Sequence, residues 1–568
     1  MKLLATLAAS AALLTATPAL AQTWIDNVDG ISIDREGNVD RFVGMVIDAD
    51  GRVVELLDFG DDPTITVQYR NDLEGRVVIP GFIDAHAHLM GLGLGTLVLD
   101  LSGTRSLEEA LAAIAAYAEE YPDRPWIIGR GWNQEIWGLG RFPTAAELDA
   151  VVSDRPVWLE RVDGHAGWAN TLALQAGGVT AASQDPSGGR IERLPGSRAP
   201  SGVLVDAAMP MVGAQVPPPR ARDREQALYN AQQLLLSYGI TAMADMGTTL
   251  EDWMTIRRAG DAGWLSVRVM AYADSVETML LIGGERPTDW LYDDMLRLNG
   301  VKLYLDGALG SRGALLKEDY EDDHGNRGLP LLTPAQLRNL MSRAALGNYQ
   351  VAVHAIGDAA NAEALNAIEE LSADFSGDRR WRIEHAQIVD PVDIARFGQH
   401  GIIASMQPVH QTSDMFMAEA RLGDDRLGGA YAWRTILNTG GTLAFGTDAP
   451  VEPVDPLAGL AVAISRANAD GEPFGGWRAE EAVTREQALA AYTANAAYAG
   501  FAEGRFGTLA PGERADFVVL SADPLMSSPE QIRRIAVEQT WVAGRLVYDA
   551  DMQRLPADSP PQGVIVTD

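Results

Sequence analysis

Gly81-Phe82-Ile83-Asp84-Ala85-His86-Ala87-His88 ends an apolar run that begins at Val77. Residues 77–83 have the length and composition of a strand, and two histidines stand just beyond them. On an extended chain, residues two apart point to the same face, so His86 and His88 can reach one metal ion together. A lone His-x-His is weak evidence, because a buried histidine is more often a satisfied structural group. Further strand-length apolar runs follow at 239–244, 267–273, 301–305, 351–353, 381–383, 402–406 and 443–445. Helix-like stretches lie between several of them. Thr333-Pro334-Ala335 reads as a Thr cap with Pro at the first helical position, and 358–371 is rich in Ala, Leu and Glu. Eight strands with helical crossovers predict an α/β fold, a distorted TIM (β/α)₈ barrel. His354 and His385 end the fifth and sixth runs, and Asp448 follows the eighth. Barrel active sites are built at the carboxyl ends of strands, and all five residues fall there. Jointly they predict a metal centre.

The composition narrows the chemistry. Cysteine is absent from the 568 residues, which excludes disulfides, thiolate ligands and a cysteine nucleophile. A metal site must then be built from His, Asp, Glu or a modified Lys. Lys and Arg number 45 against 78 Asp and Glu, and the resulting net charge of -33 repels phosphate backbones, so nucleic acid is not an expected partner. No Gly-x-Ser-x-Gly elbow is present, which ranks serine hydrolysis last. Lys2 followed by the Ala/Leu-rich stretch 3–14 is too short to span a bilayer, and Ala19-Leu20-Ala21 offers small residues for cleavage before Gln22. Residues 1–21 are expected to be a signal peptide, and the mature chain an exported protein of the periplasm rather than an integral membrane protein.

Both ends of the mature chain have β texture. Gly44-Met45-Val46-Ile47-Asp48 precedes the turn Asp50-Gly51, while Phe517-Val518-Val519-Leu520 and Gln539-Thr540-Trp541-Val542 lie near the other end. One small sheet domain assembled from residues 22–80 and 503–568, the latter including a C-terminal tail, should flank a barrel over 81–502. Residues from about 90 to 220 are too many for one βα unit and read as an insertion after the first barrel strand, beside the mouth. Within it, Trp132, Asn133, Trp137 and Trp168 are candidates for lining an aromatic pocket. Ser311 and Arg312 are candidates for a substrate's polar end, whereas His324, His400 and His410 read as loop or surface residues.

Several motifs resemble one family in order and spacing. Besides residues 81–89, they are Gly129-Arg130-Gly131-Trp132-Asn133-Gln134, Asp163-Gly164-His165, Val301-Lys302-Leu303-Tyr304-Leu305-Asp306-Gly307, His354-Ala355-Ile356-Gly357-Asp358, Ile383-Glu384-His385-Ala386 and Gly446-Thr447-Asp448-Ala449-Pro450. The chain resembles the amidohydrolase superfamily, in its YtcJ-like (amidohydrolase-3) branch. That resemblance implies a β-sandwich built by the two termini and a binuclear centre. His86, His88 and Asp448 would bind one metal, His354 and His385 the other, with Lys302 carboxylated by CO₂ between them. The alternative for Lys302 is a plain ammonium paired with Asp306 or another acid. Nitrogen and oxygen ligands without sulfur suit zinc, and manganese, iron or cobalt also fit. Asp448 would act as general base and acid, and His165 would hydrogen-bond the substrate carbonyl. Asn133 departs from the family, which often carries Asp there. The implied activity is hydrolysis of a C–N bond, other than a peptide bond, in a small-molecule amide. The rivals are an esterase or lactonase with the same site and a non-catalytic exported binding protein. Barrel enzymes of this type commonly form homo-oligomers.

Overall fold

Residues 77–83, one uninterrupted apolar run, divide at Gly81 in the computed structural model, which describes residues 22–554. Strand Tyr69–Pro80 belongs to one sheet and Phe82–Ala87 opens another. A Cβ on Gly81 would lie 2.3 Å from the Thr241 hydroxyl oxygen, so the crossing between the sheets admits no side chain. The single strand expected over 77–83 is thus the junction of two, and the expected signal peptide lies outside the described residues.

The second of these sheets is an eight-stranded, nearly closed barrel. Its strands in chain order are β1 (Phe82–Ala87), β2 (Ile240–Thr248), β3 (Arg268–Ala273), β4 (Leu296–Tyr304), β5 (Gln350–Ala355), β6 (Arg382–His385), β7 (Ile403–Met406) and β8 (Thr442–Phe445). Each pairs in parallel with its sequence neighbour. The open side, between β8 and β1, is joined just beyond the strands. There Asp448 N–H donates to His86 O at 2.7 Å and His88 N–H donates to Ala449 O at 2.8 Å. The seam of the barrel therefore carries three of the candidate ligands.

Alternation decides which groups face inward. In β5, Val351, Val353 and Ala355 pack among the outer helices, while Ala352 joins an inner cluster with Ile83, Ala85, Ala242 and Ala444. Small inner side chains leave room for polar groups above them. Arg382 and Glu384, on the inward face of β6, are fully buried and paired, with Arg382 Nε donating to Glu384 Oε1 at 2.7 Å.

The chain ends build a seven-stranded sheet in the order Arg545–Asp549, Val537–Val542, Phe517–Leu520, Tyr69–Pro80, Thr23–Ile33, Val39–Ile47 and Val53–Leu57. Ile25, Phe42, Met45, Val78 and Phe517 form its core. Between β1 and β2 lies a third sheet of six strands, from Leu99–Asp100 to Pro200–Asp206, with its own apolar cores. No helix among the described residues is long and apolar enough to cross a membrane.

Candidate active site

Asp448 sits where the charged groups converge. It follows β8 with a φ of 58°, a left-handed conformation that Asp adopts more readily than most residues. Its Oδ1 lies 3.1 Å from His88 Nε2 and 3.6 Å from His86 Nε2; its Oδ2 lies 3.8 Å from His385 Nδ1. His385 itself has a φ of 73°, a strained value for a bulky side chain that ends β6 and turns the ring toward the centre. His354 packs against His385 with ring centroids 4.6 Å apart, and Lys302 Nζ is 3.1 Å from His86 Nε2. All six residues expected at the metal centre are thus brought to one place.

Two features suit this cluster to cations. The buried atoms His354 Nε2 and Asp448 Oδ1 make no hydrogen bond within the protein. Burial, with nearby cationic groups, holds His86 down to about 4 and His354 and His385 well below the ordinary histidine value, so all three rings are neutral at pH 7, the form in which an imidazole can bind a metal. Asp448 is also buried, but the surrounding imidazoles outweigh that and keep it ionised far below the usual carboxylate range. His86, His88 and Asp448 place ligand atoms within 4.8 Å of one another, as do His385, His410 and Asp448.

His410 corrects its expectation as a loop or surface residue. It is buried in helix Pro408–Leu422, just past β7, and its Nε2 is 3.1 Å from Asp448 Oδ2 while Nδ1 is 3.2 Å from Glu452 Oε1. His86 and His165 follow the same pattern. His86 Nδ1 meets Glu384 Oε2 at 2.6 Å, and His165 Nδ1 meets Asp206 Oδ1 at 2.6 Å. A carboxylate on Nδ1 fixes the tautomer and turns Nε2 toward the site. Asp306, the alternative partner of Lys302, accepts three backbone N–H groups instead, from Leu315, Ile356 and Gly357. Burial lowers the Lys302 ammonium to about 8.

The cluster opens into a cavity of 1720 Å³ lined also by His165, Asn133, Arg161, Gln387 and Tyr304. Asn133 Oδ1 accepts from Arg161 Nη2 at 3.2 Å, so it braces the wall as well as facing the space. Trp132, Trp137 and Trp168 do not line it. Their rings pack on one another at 6.1–6.4 Å, and Trp132 and Trp168 are fully buried in the core of the insertion. Ser311 is buried and donates to Ala308 O, and Arg312 turns away to Asp322. His324 is exposed and His400 half-buried at a helix end. Residue types alone did not single out Glu384, Asp206, Glu452 or His410.

The profile of the Amidohydrolase family matches residues 71–548. The chain is 35% identical over 520 residues to the protein LONG AFTER FAR-RED 3 of Arabidopsis thaliana, covering 88% of this chain and 86% of that one. It is 35% identical to the putative amidohydrolase YtcJ of Bacillus subtilis (strain 168), covering 84% and 90% of the two chains. Identity to the N-substituted formamide deformylase of Arthrobacter pascens is 28%, covering 84% and 89%. Among solved structures, an uncharacterized metal-dependent hydrolase from Pyrococcus horikoshii OT3 superposes with a TM-score of 0.72 at 26% identity, covering 90% of this chain and 99% of that one.

Proposed function

We propose, from the premise that this chain belongs to the amidohydrolase family and is a metal-dependent hydrolase, that it hydrolyses the C–N bond of a small non-peptide amide. The supporting observation is the convergence of His86, His88, His385 and His410 on the two oxygens of Asp448. His86, His88 and Asp448 would hold one divalent ion, His354 and His385 a second, and a carboxylated Lys302 would reach both; zinc suits these ligands. Bound there, the ions would supply a water of lowered pKa and a Lewis acid for the substrate carbonyl.

The chain's own groups then have distinct tasks. Asp448, held ionised by its imidazoles, takes a proton from the attacking water and delivers it to the leaving nitrogen. His165, charged through Asp206, donates from Nε2 to the carbonyl oxygen as negative charge gathers there. Glu384 keeps His86 oriented, and Arg382 keeps Glu384 ionised. For Lys302, a buried amine of lowered basicity is the form that adds CO₂, and Asp306 is engaged elsewhere. The 28% identity to a formamide deformylase over most of both chains supports the amide bond.

Elemental mass spectrometry on the purified mature chain tests the centre. We expect about two metals per chain in the wild type, falling sharply in Lys302→Ala; one metal, indifferent to that change, would remove the lysine bridge. Paired amide and ester substrates then separate the amide reading from an esterase or lactonase. Turnover lost in Asp448→Asn with metal retained would dismiss a binding protein. Export belongs to the same proposal, and an amino terminus at Gln22 on protein from the periplasmic fraction would support it.

A further inference from the structure

The cavity does not end at Asp448. Its 1720 Å³ exceeds the roughly 300–1,000 Å³ of most small-molecule sites. Past the barrel helix Leu89–Gly95 the lining turns apolar: Leu97 and Val98 lead into strand Leu99–Asp100, whose pairing with Ile127–Trp132 sets them beside Trp126 and Ile128, and Val216, packed on the same cluster as Trp126, completes this arm of the cavity. These side chains are half-buried, apolar and drawn from three separate segments. Strand alternation explains the insertion's share. In strand Ile127–Trp132, Ile127 and Gly129 are buried, while Ile128 and Arg130 share the other face and line the cavity. Arg130 marks the junction of arm and site, because its guanidinium donates to the carbonyl of Pro450, two residues past Asp448.

We infer that this arm receives an extended apolar chain carried by the substrate, so that the substrate class is a long-chain alkyl or acyl amide rather than a compact one. The inference rests on the hydrolase reading above for the end of the molecule that reacts. Continuity with the reacting centre argues for a part of the substrate as the occupant, since both lie in one cavity. The arm's chemistry argues for hydrocarbon over peptide. Pro217, Pro218 and Pro219 form one stretch of its wall and have no N–H to offer a peptide backbone. Of the charges in this part of the lining, Arg220 pairs with Asp223, Asp252 pairs with Arg224 and Arg124 donates to the Leu97 carbonyl and the Tyr117 hydroxyl, while Arg130 and Glu160, neighbours on paired strands, stand where the arm meets the site.

Alkyl hydroxamates test this without assuming which bond is cleaved, because the hydroxamate group binds a catalytic metal whatever the substrate. Calorimetric affinities of acetohydroxamate, hexanohydroxamate and decanohydroxamate should be measured on the metal-loaded mature enzyme. We expect affinity to rise by about two- to fourfold per added methylene. Val98→Asp and Ile128→Asp, made separately, should each collapse the ratio of decanohydroxamate to acetohydroxamate affinity by at least about tenfold. A wild-type affinity independent of chain length, or a ratio that survives both substitutions, overturns the apolar arm while leaving the hydrolase reading intact. Failure of acetohydroxamate to bind at all overturns the hydrolase reading and the arm with it.

Discussion

His165 shows how one hydrogen bond sets a reaction's pH range. Burial disfavours its charged form, but the hydrogen bond and charge of Asp206, aided by Asp163 and Asp306, raise it to about 9. The folded value lies above the ordinary value of 6.5, so this pair stabilises the chain fully below about pH 6.5 and loses that contribution as pH rises through about 9. If the imidazolium assists the carbonyl, kcat/KM should fall on the alkaline side near pH 9. Asp206→Asn should move that fall toward neutrality by a unit or more, measured as pH profiles of both proteins. An alkaline limb indifferent to Asp206→Asn would take His165 out of the reaction. His410 makes a parallel case. Because its Nε2 holds Asp448 Oδ2 and Glu452 holds its Nδ1, His410→Ala should lower kcat or metal occupancy by about 10- to 100-fold. Steady-state kinetics with parallel elemental analysis would check it, and unchanged values of both would return His410 to a structural role. The five strand-end candidate ligands could be read from sequence because each ends or closely follows an apolar run. His410 could not, since Pro408 at the first helical turn hides it inside the next element.

At the scale of the element, the inserted sheet shows why aromatic residues misled. Trp132 follows Arg130 by two, and simple alternation would place both on the cavity face. Gly131 intervenes with a φ of 89°, and the pairing with the neighbouring strand shifts between Arg130 and Trp132. That irregularity turns Trp132 inward, where its indole donates to Leu159 O and packs with Trp137 and Trp168. A composition reading cannot see such a change of phase. The consequence is testable: Trp132→Ala should cost about 3–5 kcal/mol of stability, seen as a lowered urea midpoint, with KM unchanged in the folded enzyme. A raised KM at unchanged stability would put the ring back in the pocket. The same logic explains the first strand. An apolar run carries no mark of where one sheet yields to another, and Gly81, the one residue small enough for the crossing, is ambiguous until Thr241 is placed beside it. The remaining barrel strands were readable because helical crossovers separate them.

At the scale of the whole molecule, the terminal sheet and the barrel are joined by buried charge at the end remote from Asp448. Arg268 opens β3 and is fully buried. Its Nε and Nη2 donate to the two carboxylate oxygens of Asp516, next to strand Phe517–Leu520, at 2.6 and 2.9 Å. Its Nη1 donates to the carbonyls of Asp293 and Asp294 just before β4. Asp516 also accepts the backbone N–H of Ala543, so one carboxylate ties β3 to two segments of the C-terminal part of the sheet. Both ends of the chain showed β texture in sequence, but nothing in that texture paired Arg268 with a residue 248 positions away. Removing Arg268 alone strands a carboxylate out of water, so Arg268→Ala should destabilise the protein by about 3–5 kcal/mol. Removing both charges spares that penalty, and Arg268→Met with Asp516→Leu should be more stable than the single variant in thermal melts. The order of those two melts separates a buried ion pair that joins the sheets from apolar packing that would join them regardless. If the double variant melts below Arg268→Ala, the loss lies in packing, and the charged joint is incidental to how barrel and terminal sheet stay together.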